Sequence, residues 1–277
     1  MDQLAKNEKI KQAILATRRK HANMTCKTYE VKIDKSHLSK TKSGFLKSIF
    51  REAKWLYNHI LSVGDVFAAT GNLKEVTVLN KDREPEVRPL SNLSSHMAQE
   101  IVTRTKNNVV ALGRLKAAGN RIGKLKYKSQ VNSIPLKQYG NTYKVKGNTI
   151  KIQGCKKPFR VMGLKQLPPG ADLTNATLVR RTGDYYIKIT CFVDKVARPV
   201  TGRSVGLDFG IKDSVTTSDG EKFNFSFPES KQLKKASRKV HKSVKGSKSR
   251  YKKRLRLQKE YRKQDSRKQD ARNKFIN

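Results

Sequence analysis

Ser204-Val-Gly-Leu-Asp208-Phe-Gly-Ile-Lys-Asp213, followed by Ser214-Val-Thr-Thr-Ser-Asp-Gly-Glu-Lys-Phe-Asn-Phe225, is the stretch that decides the fold. Val205, Leu207 and Phe209 alternate with Gly206 and Asp208, the two-residue period of a short strand, so Asp208 faces away from the three apolar side chains. Gly206 and Gly210 carry no Cβ and leave room for backbone or nucleic acid to approach closely. Asp219-Gly220 lies between Ser214-Val-Thr-Thr217 and Glu221-Lys-Phe-Asn-Phe225, a two-residue hairpin signal. A strand presenting one carboxylate, with a hairpin beside it, is the expected local structure.

Upstream, the pattern is that of strands. Leu178-Val-Arg-Arg181, a Thr182-Gly-Asp184 turn and Tyr185-Tyr-Ile-Lys-Ile-Thr-Cys-Phe-Val193 predict a hairpin with Tyr185, Ile187, Ile189, Cys191 and Val193 on one face. Residues 133–136, 142–145 and 149–152 predict short strands, the last two joined through Lys146-Gly147-Asn148. Thr25 to Ile33 alternates Tyr29, Val31 and Ile33 against Thr28, Glu30 and Lys32. This first strand has no local partner, so it is expected to join the later strands in one barrel.

Between these β-rich parts the period lengthens to that of helices. Phe45, Ile49, Phe50, Ala53, Leu56, Tyr57, Ile60 and Leu61 recur at three- and four-residue spacings, and Leu93, Met97, Ile101, Val109, Leu112 and Leu115 do so from about Ser91. Gly71 to Pro89, with mixed charges and two prolines, reads as a loop. Met1 to Asn23 is a basic, weakly amphipathic segment with apolar Leu4, Ile10, Ile14 and Leu15, and Pro199 and Gly202 punctuate a boundary before Asp208.

Charge narrows the partner. The chain of 277 residues carries 62 Lys and Arg against 22 Asp and Glu, a formal net charge of +40. Such a field attracts polyanions through counterion release and steering, so nucleic acid is the expected partner. No run of eighteen apolar residues offers a membrane span, and the amino terminus lacks an apolar segment with a small-residue cleavage site, so a cytoplasmic, nucleoid-associated protein is expected. Cys26, Cys155 and Cys191 are widely spaced, with no Cys-x-x-Cys, which reads as buried small hydrophobes and no zinc site.

Gly206-Leu-Asp-Phe-Gly-Ile-Lys-Asp213 with Ser218-Asp-Gly220 resembles the first RuvC motif of TnpB (OrfB), the transposon-encoded RNA-guided nuclease family, and of the miniature type V CRISPR effectors. Trp55-Leu-Tyr-Asn-His59, Gly123-Lys-Leu-Lys-Tyr-Lys-Ser129 and Lys245-Gly-Ser-Lys-Ser-Arg-Tyr-Lys-Lys253 resemble further segments of that family, in the same order. The resemblance implies an α+β protein: a wedge-like β-barrel (25–44 and 125–200) interrupted by a helical recognition lobe (45–124). A basic extension (1–24) precedes it, and a partial RNase H-like (RuvC) domain with a basic helical tail (201–277) follows. Guide RNA and target double-stranded DNA are the implied partners, with sequence read mainly by guide pairing.

In that family the nuclease site holds magnesium between an aspartate, a later glutamate and a final aspartate. Two divalent ions about 3.5–4 Å apart need several converging carboxylates, and Asp208 supplies one. Asp213 is off the metal-facing position and Asp219 belongs to the turn. Glu260, Asp265 and Asp270 have the spacing of solvent-face pairs with Lys and Arg. The chain is therefore expected not to cleave alone, its remaining carboxylates coming from another segment or a complementing chain. A non-cleaving RNA-guided DNA-binding regulator or transposition accessory, and a structural RNA-binding protein, are the other readings.

Arg121, Lys124, Lys126 and Lys128 around Tyr127 alternate charge with an aromatic ring, the pattern of phosphate contact with base stacking. Arg180 and Arg181 beside their turn are further candidates. Residues 231–277 hold 20 Lys and Arg against 3 Asp and Glu, and there Lys252, Lys253 and Arg254 are expected to contact nucleic acid beside a sparse apolar stripe of Leu255, Leu257, Tyr261 and Phe275.

Overall fold

A computed structural model describes residues 3–80, 82–196, 202, 204–210, 213–224 and 230–276. Pro199 of the expected boundary, Ile211 and Lys212 of the motif and Phe225 of the hairpin lie outside the described residues, as do the side chains of Leu4 and Phe275. The chain divides into two compact units, Met1–Lys195 and Val196–Asn277.

The first unit runs α1 (Gln3–Ala22), β1 (Met24–Ile33), α2 (Lys40–Ser62), β2 (Glu75–Leu79), β3 (Pro85–Pro89), α3 (Ser95–Ala117), β4 (Ser133–Leu136), β5 (Tyr143–Lys146), β6 (Thr149–Ile152), β7 (Phe159–Met162), β8 (Asp172–Arg181) and β9 (Asp184–Asp194). Seven of the strands form one antiparallel sheet in the order β4-β8-β9-β1-β7-β6-β5. Its edges, β4 and β5, are consecutive in the chain and are drawn together. Tyr139 bridges to Tyr143, and the Tyr139 N–H donates to the Thr174 carbonyl at 2.9 Å. The sheet is thereby a nearly closed barrel, which leaves little edge to pair elsewhere. As expected, β1 finds its partners far along the chain, between β9 and β7, with Tyr29 opposite Ile189 and Val31 opposite Ile187.

Alternation delivers the core. Val31, Ile33, Ile134, Leu136, Ile150, Ile152, Leu178, Ile187 and Ile189 point inward and are buried, each contributing about 1.5–3 kcal/mol by leaving water. Between β8 and β9 the chain reverses over Thr182 (φ 51°) and Gly183 (φ 78°), the doubly left-handed two-residue turn that matches strand twist.

Helices α2 and α3 lay their apolar stripes on the same core, through Leu46, Ile49, Phe50, Ala53, Leu56 and Ile60 of one and Met97, Ala98, Ile101 and Val102 of the other. Ser39 and Ser94 cap them, accepting from Lys42 N and Met97 N. Glu52, only 3% exposed, accepts from Asn92 N (2.8 Å), Leu93 N (2.8 Å) and Asn92 Nδ2 (2.7 Å), so a buried carboxylate on α2 orders the chain just ahead of α3.

Three details differ from the sequence reading. The Gly71 to Pro89 stretch is not simply a loop: β2 and β3 pair as a hairpin, Thr77 opposite Val87. Its two prolines sit at the ends of β3, an edge strand, where a missing N–H costs no ladder bond. Strand β7 lies in a stretch whose Cys-Lys-Lys-Pro lead-in carried no strand signal. Cys155 and Cys191 are buried as expected, but Cys26 is exposed, because it occupies the outward phase of β1.

The second unit holds β10 (Leu207–Asp208), β11 (Val215–Thr217), β12 (Lys222–Phe223), α4 (Lys231–His241) and α5 (Lys248–Ile276). The three strands pair antiparallel in chain order. Leu233, Ala236 and Val240 of α4 are buried in the α4–α5 helical hairpin, and α5, 29 residues long, extends about 43 Å.

Candidate nucleic-acid interface

Asp208 stands on β10 opposite Thr216 of β11. The turn that follows β11 differs from expectation by one residue. Thr217 N–H donates to the Glu221 carbonyl (2.9 Å), leaving a three-residue loop of Ser218, Asp219 and Gly220 in which Gly220 takes φ 84°. One left-handed position, instead of two, makes this the bulged form of the hairpin. Ser218 ties the loop back to β10: its Oγ accepts from Gly206 N (3.1 Å) and its N–H donates to the Gly206 carbonyl (2.8 Å). Gly210 has a steric reason to be glycine, since a Cβ there would stand 2.8 Å from the Asp213 carbonyl oxygen.

The Asp208 side chain is exposed and makes no hydrogen bond or ion pair among the described residues. The neighbouring acids are committed elsewhere. Asp213 accepts from Asn224 Nδ2 (3.0 Å) and pairs with Lys222 (3.4 Å), and the Asn224 bond, more than Lys222, holds its carboxyl below the usual value. Glu260 pairs with Lys263 and Asp270 with Lys274, both at 3.0 Å; the Asp270 pair lies on the solvent face of α5 as its spacing indicated, whereas the Glu260 side chain is only 12% exposed and Asp265 has no ion pair among the described residues. No group of three His, Cys, Asp or Glu residues able to hold a metal occurs among the described residues. The donor set therefore does not fit a two-ion magnesium site, which needs several carboxylate oxygens at one point.

Basic side chains converge more productively in the first unit. From Gly119 to Asn132 the chain has no helix or strand, yet it is not left to wander. Asn58 on α2 accepts from Lys128 N (2.9 Å) and donates to the Lys128 carbonyl (3.0 Å), so one side-chain amide satisfies both backbone groups of one residue as a neighbouring strand would. Tyr57 OH donates to the Lys126 carbonyl (3.4 Å), and the Lys128 ammonium lies 3.9 Å from the Tyr57 ring centroid. The extended strap so held exposes Arg121, Lys124 and Lys126, with the Tyr127 ring 64% exposed among them.

Beside the strap is an open cleft of about 240 Å³ lined by Tyr57, Arg104, Asn108, Lys128, Gln130 and Asn132. Arg104 donates to Ser133 Oγ (3.0 Å), and Glu100, whose charge acts on it, is itself bonded to Lys137 (3.0 Å). Loss of solvent lowers the pKa of both Arg104 and Lys128, and the charge of Arg104 lowers that of Lys128 further. Two crowded cations among neutral amides form a place where a phosphate relieves repulsion. Arg104, Asn108 and Asn132 carried no pattern in the sequence; Asn58, within Trp55 to His59, adjoins the apolar stripe of α2 but shares that helix with many other polar residues and carried no signal of its own.

The other candidates divide. Arg180 stacks on Phe50 (5.1 Å) and donates to Gln130 Oε1 and the Val131 carbonyl, both 3.3 Å, reaching the cleft wall. Arg181 is held by Glu30 through two bonds of 2.6 and 3.2 Å. On α5, Lys252 and Arg254 are exposed, whereas Lys253 turns inward to Ser243 Oγ (2.9 Å). Trp55 lies between Arg51 (5.3 Å) and Arg88 (4.9 Å), and His59 Nδ1 meets the Thr77 carbonyl at 3.3 Å, both packing roles.

Residues 188–277, which include the Asp208 strand and both tail helices, match the OrfB_IS605 family, described as "Probable transposase". This is the TnpB (OrfB) family that the motifs resemble. The chain is also 30% identical over 137 residues to a Streptomyces pristinaespiralis protein named "Putative RNA-guided DNA endonuclease". The match takes in 48% of this chain and spans 34% of that relative. No helix among the described residues is long and apolar enough to cross a membrane.

Proposed function

We propose that the protein is a TnpB-like, RNA-guided DNA-binding protein, which holds guide RNA and double-stranded target DNA through basic surfaces. The observation that carries this reading is the strand-borne, exposed Asp208 inside the OrfB-like segment 188–277; the name of the Streptomyces relative supports it. The Asn58-held strap and the Arg104–Lys128 cleft are its phosphate contacts, with Arg180, Lys252 and Arg254 as further ones, in an RNase H-like and wedge-barrel arrangement. Magnesium-dependent cleavage requires carboxylates besides Asp208. A second reading, guided binding without cleavage, is favoured by the commitment of Asp213, Glu260 and Asp270 to other partners.

Sequencing the RNA that co-purifies with the chain tests the proposal. One defined transcript ending in a variable segment is expected, and a heterogeneous mixture of ribosomal fragments would contradict it. Magnesium-dependent DNA cleavage by the chain alone, lost in Asp208→Ala, would overturn the statement that further carboxylates are needed.

A further inference from the structure

Helix α1 combines a built anchor with a bare shaft. At the anchor, the His21 ring lies flat on Phe192, centroids 3.8 Å apart and planes within 3°. Asp172 meets both Lys20 Nζ (2.7 Å) and His21 Nε2 (3.1 Å). Lys195 Nζ donates to the Ala22 carbonyl (3.0 Å), covering an orphan acceptor at the helix end. All of these groups lie in the barrel unit. By contrast, every residue from 7 to 20 is exposed.

The shaft does not hold itself together by familiar means. Among the described residues its one internal ion pair is Lys11 with Glu8 (3.0 Å), and its first turn has no acid to meet the helix dipole. Along residues 7–20, Lys9, Lys11, Arg18, Arg19 and Lys20 stand against one acid, Glu8. Ile10, Ala13, Ile14 and Thr17 form a narrow apolar stripe, with Lys11 and Arg18 on one flank and Lys9 on the other, by the 100° step of a helix. Leu15 and Arg19 occupy the opposite side, so the helix lacks the clean division of apolar and charged faces that an anionic lipid surface requires. A helix with cations on both flanks of its narrow stripe and on the opposite side, fixed in direction at one end, suits a surface of repeated negative charge.

We infer that α1 is a fixed arm for the phosphodiester backbone of double-helical nucleic acid, with Lys9, Lys11, Arg18 and Arg19 as its contacts and His21, Phe192, Asp172 and Lys195 as the anchor that sets its direction. This rests on the proposed nucleic-acid function and adds a binding surface separate from the strap and cleft. The shaft, residues 7–20 of a helix about 30 Å long, extends about 21 Å, somewhat more than half of one duplex turn.

The full-length chain is titrated with a labelled random-sequence DNA duplex, and with the RNA duplex of the same sequence, across a series of KCl concentrations. The variant Lys9→Ala/Arg18→Ala/Arg19→Ala is expected to lose about tenfold in low-salt affinity and about two to three units of salt slope, near 0.9 for each phosphate that is no longer neutralised. The anchor variant His21→Ala/Asp172→Ala keeps those three cations and is expected to lose affinity as well. Loss on one duplex alone names its source. An unchanged triple variant overturns the arm, as does anionic vesicle binding that the triple variant abolishes while duplex binding stays intact. A sensitive triple variant beside an unaffected anchor variant overturns the fixed direction. A wild-type chain that binds neither duplex overturns the proposed function itself, which separates that failure from failure of the arm.

Discussion

Asn58 substitutes for a missing strand. Its two bonds to Lys128 contribute about 1 kcal/mol each, little beside the core but decisive for a segment with no ladder of its own. Asn58→Ala is expected to open the strap to trypsin at Arg121, Lys124 and Lys126 and to weaken nucleic-acid binding several-fold. Its melting temperature should stay within a few degrees of wild type, and a strap that resists trypsin as before would refute the clamp. Glu52 is the opposite case, a residue of stability. Glu52→Gln leaves one acceptor oxygen for three donors, so either the backbone N–H groups of Asn92 and Leu93 or the Asn92 side-chain amide faces an NH2 group, and the charge that strengthened these bonds is lost. The substitution should cost about 2 kcal/mol by thermal or denaturant unfolding, and no loss would contradict the role of Glu52 in ordering the chain ahead of α3. Neither residue announced itself: a polar side chain in a helical stripe has no periodicity to reveal which distant backbone it meets.

Elements show where pattern suffices and where it does not. The strands β1 and β9, and the last four residues of β8, were legible because period-two alternation sorts side chains to faces, and the buried Val31, Leu178, Ile187 and Ile189 obey it; the first part of β8, where a bulge between Leu173 and Ala176 breaks the period, was not. The β2–β3 hairpin was not legible, since its prolines mimic loop punctuation while lying harmlessly at an edge. In the β8–β9 turn Thr182 sits at φ 51°, a conformation costly for a β-branched residue. Thr182→Asn should stabilise the protein by about 1 kcal/mol, read as a raised unfolding midpoint; a lowered midpoint would mean that the hydroxyl contributes more than the strain. At the α1 anchor, bonds from Lys20, then His21, hold the Asp172 carboxyl below its ordinary value. Its contribution is therefore complete above the usual carboxylate range and fades as pH falls through the depressed value. Amide protection near Ala22, exchange taken relative to its intrinsic rate at each pH, should fall in that acidic window and stay constant from neutral pH down to its edge; loss of protection near pH 7 would assign the anchor to another group.

For the whole molecule, a net charge of +40 is the fact that every local observation must accommodate. The barrel and its two packed helices provide a stable first unit, and the strap, cleft and α1 shaft distribute that unit's cations over surfaces where few acids neutralise them. The second unit shows Asp208 on a strand whose apolar face is bare, with Phe209 76% exposed. The candidate carboxylate and the basic stretches were legible as residue types in sequence. The cleft was not, because Tyr57 of α2, Arg104 and Asn108 of α3 and Lys128 of the strap come from three separate parts of the chain and meet only through packing. The central claim is guided binding of DNA, and its most direct measurement is equilibrium binding of the purified protein–RNA complex to two DNA duplexes, one complementary to the variable segment of the bound RNA and one scrambled. Tighter binding to the complementary duplex by at least about tenfold, lost on RNase treatment, is expected. Equal affinity for the two duplexes, or undiminished preference after the RNA is destroyed, would contradict the account.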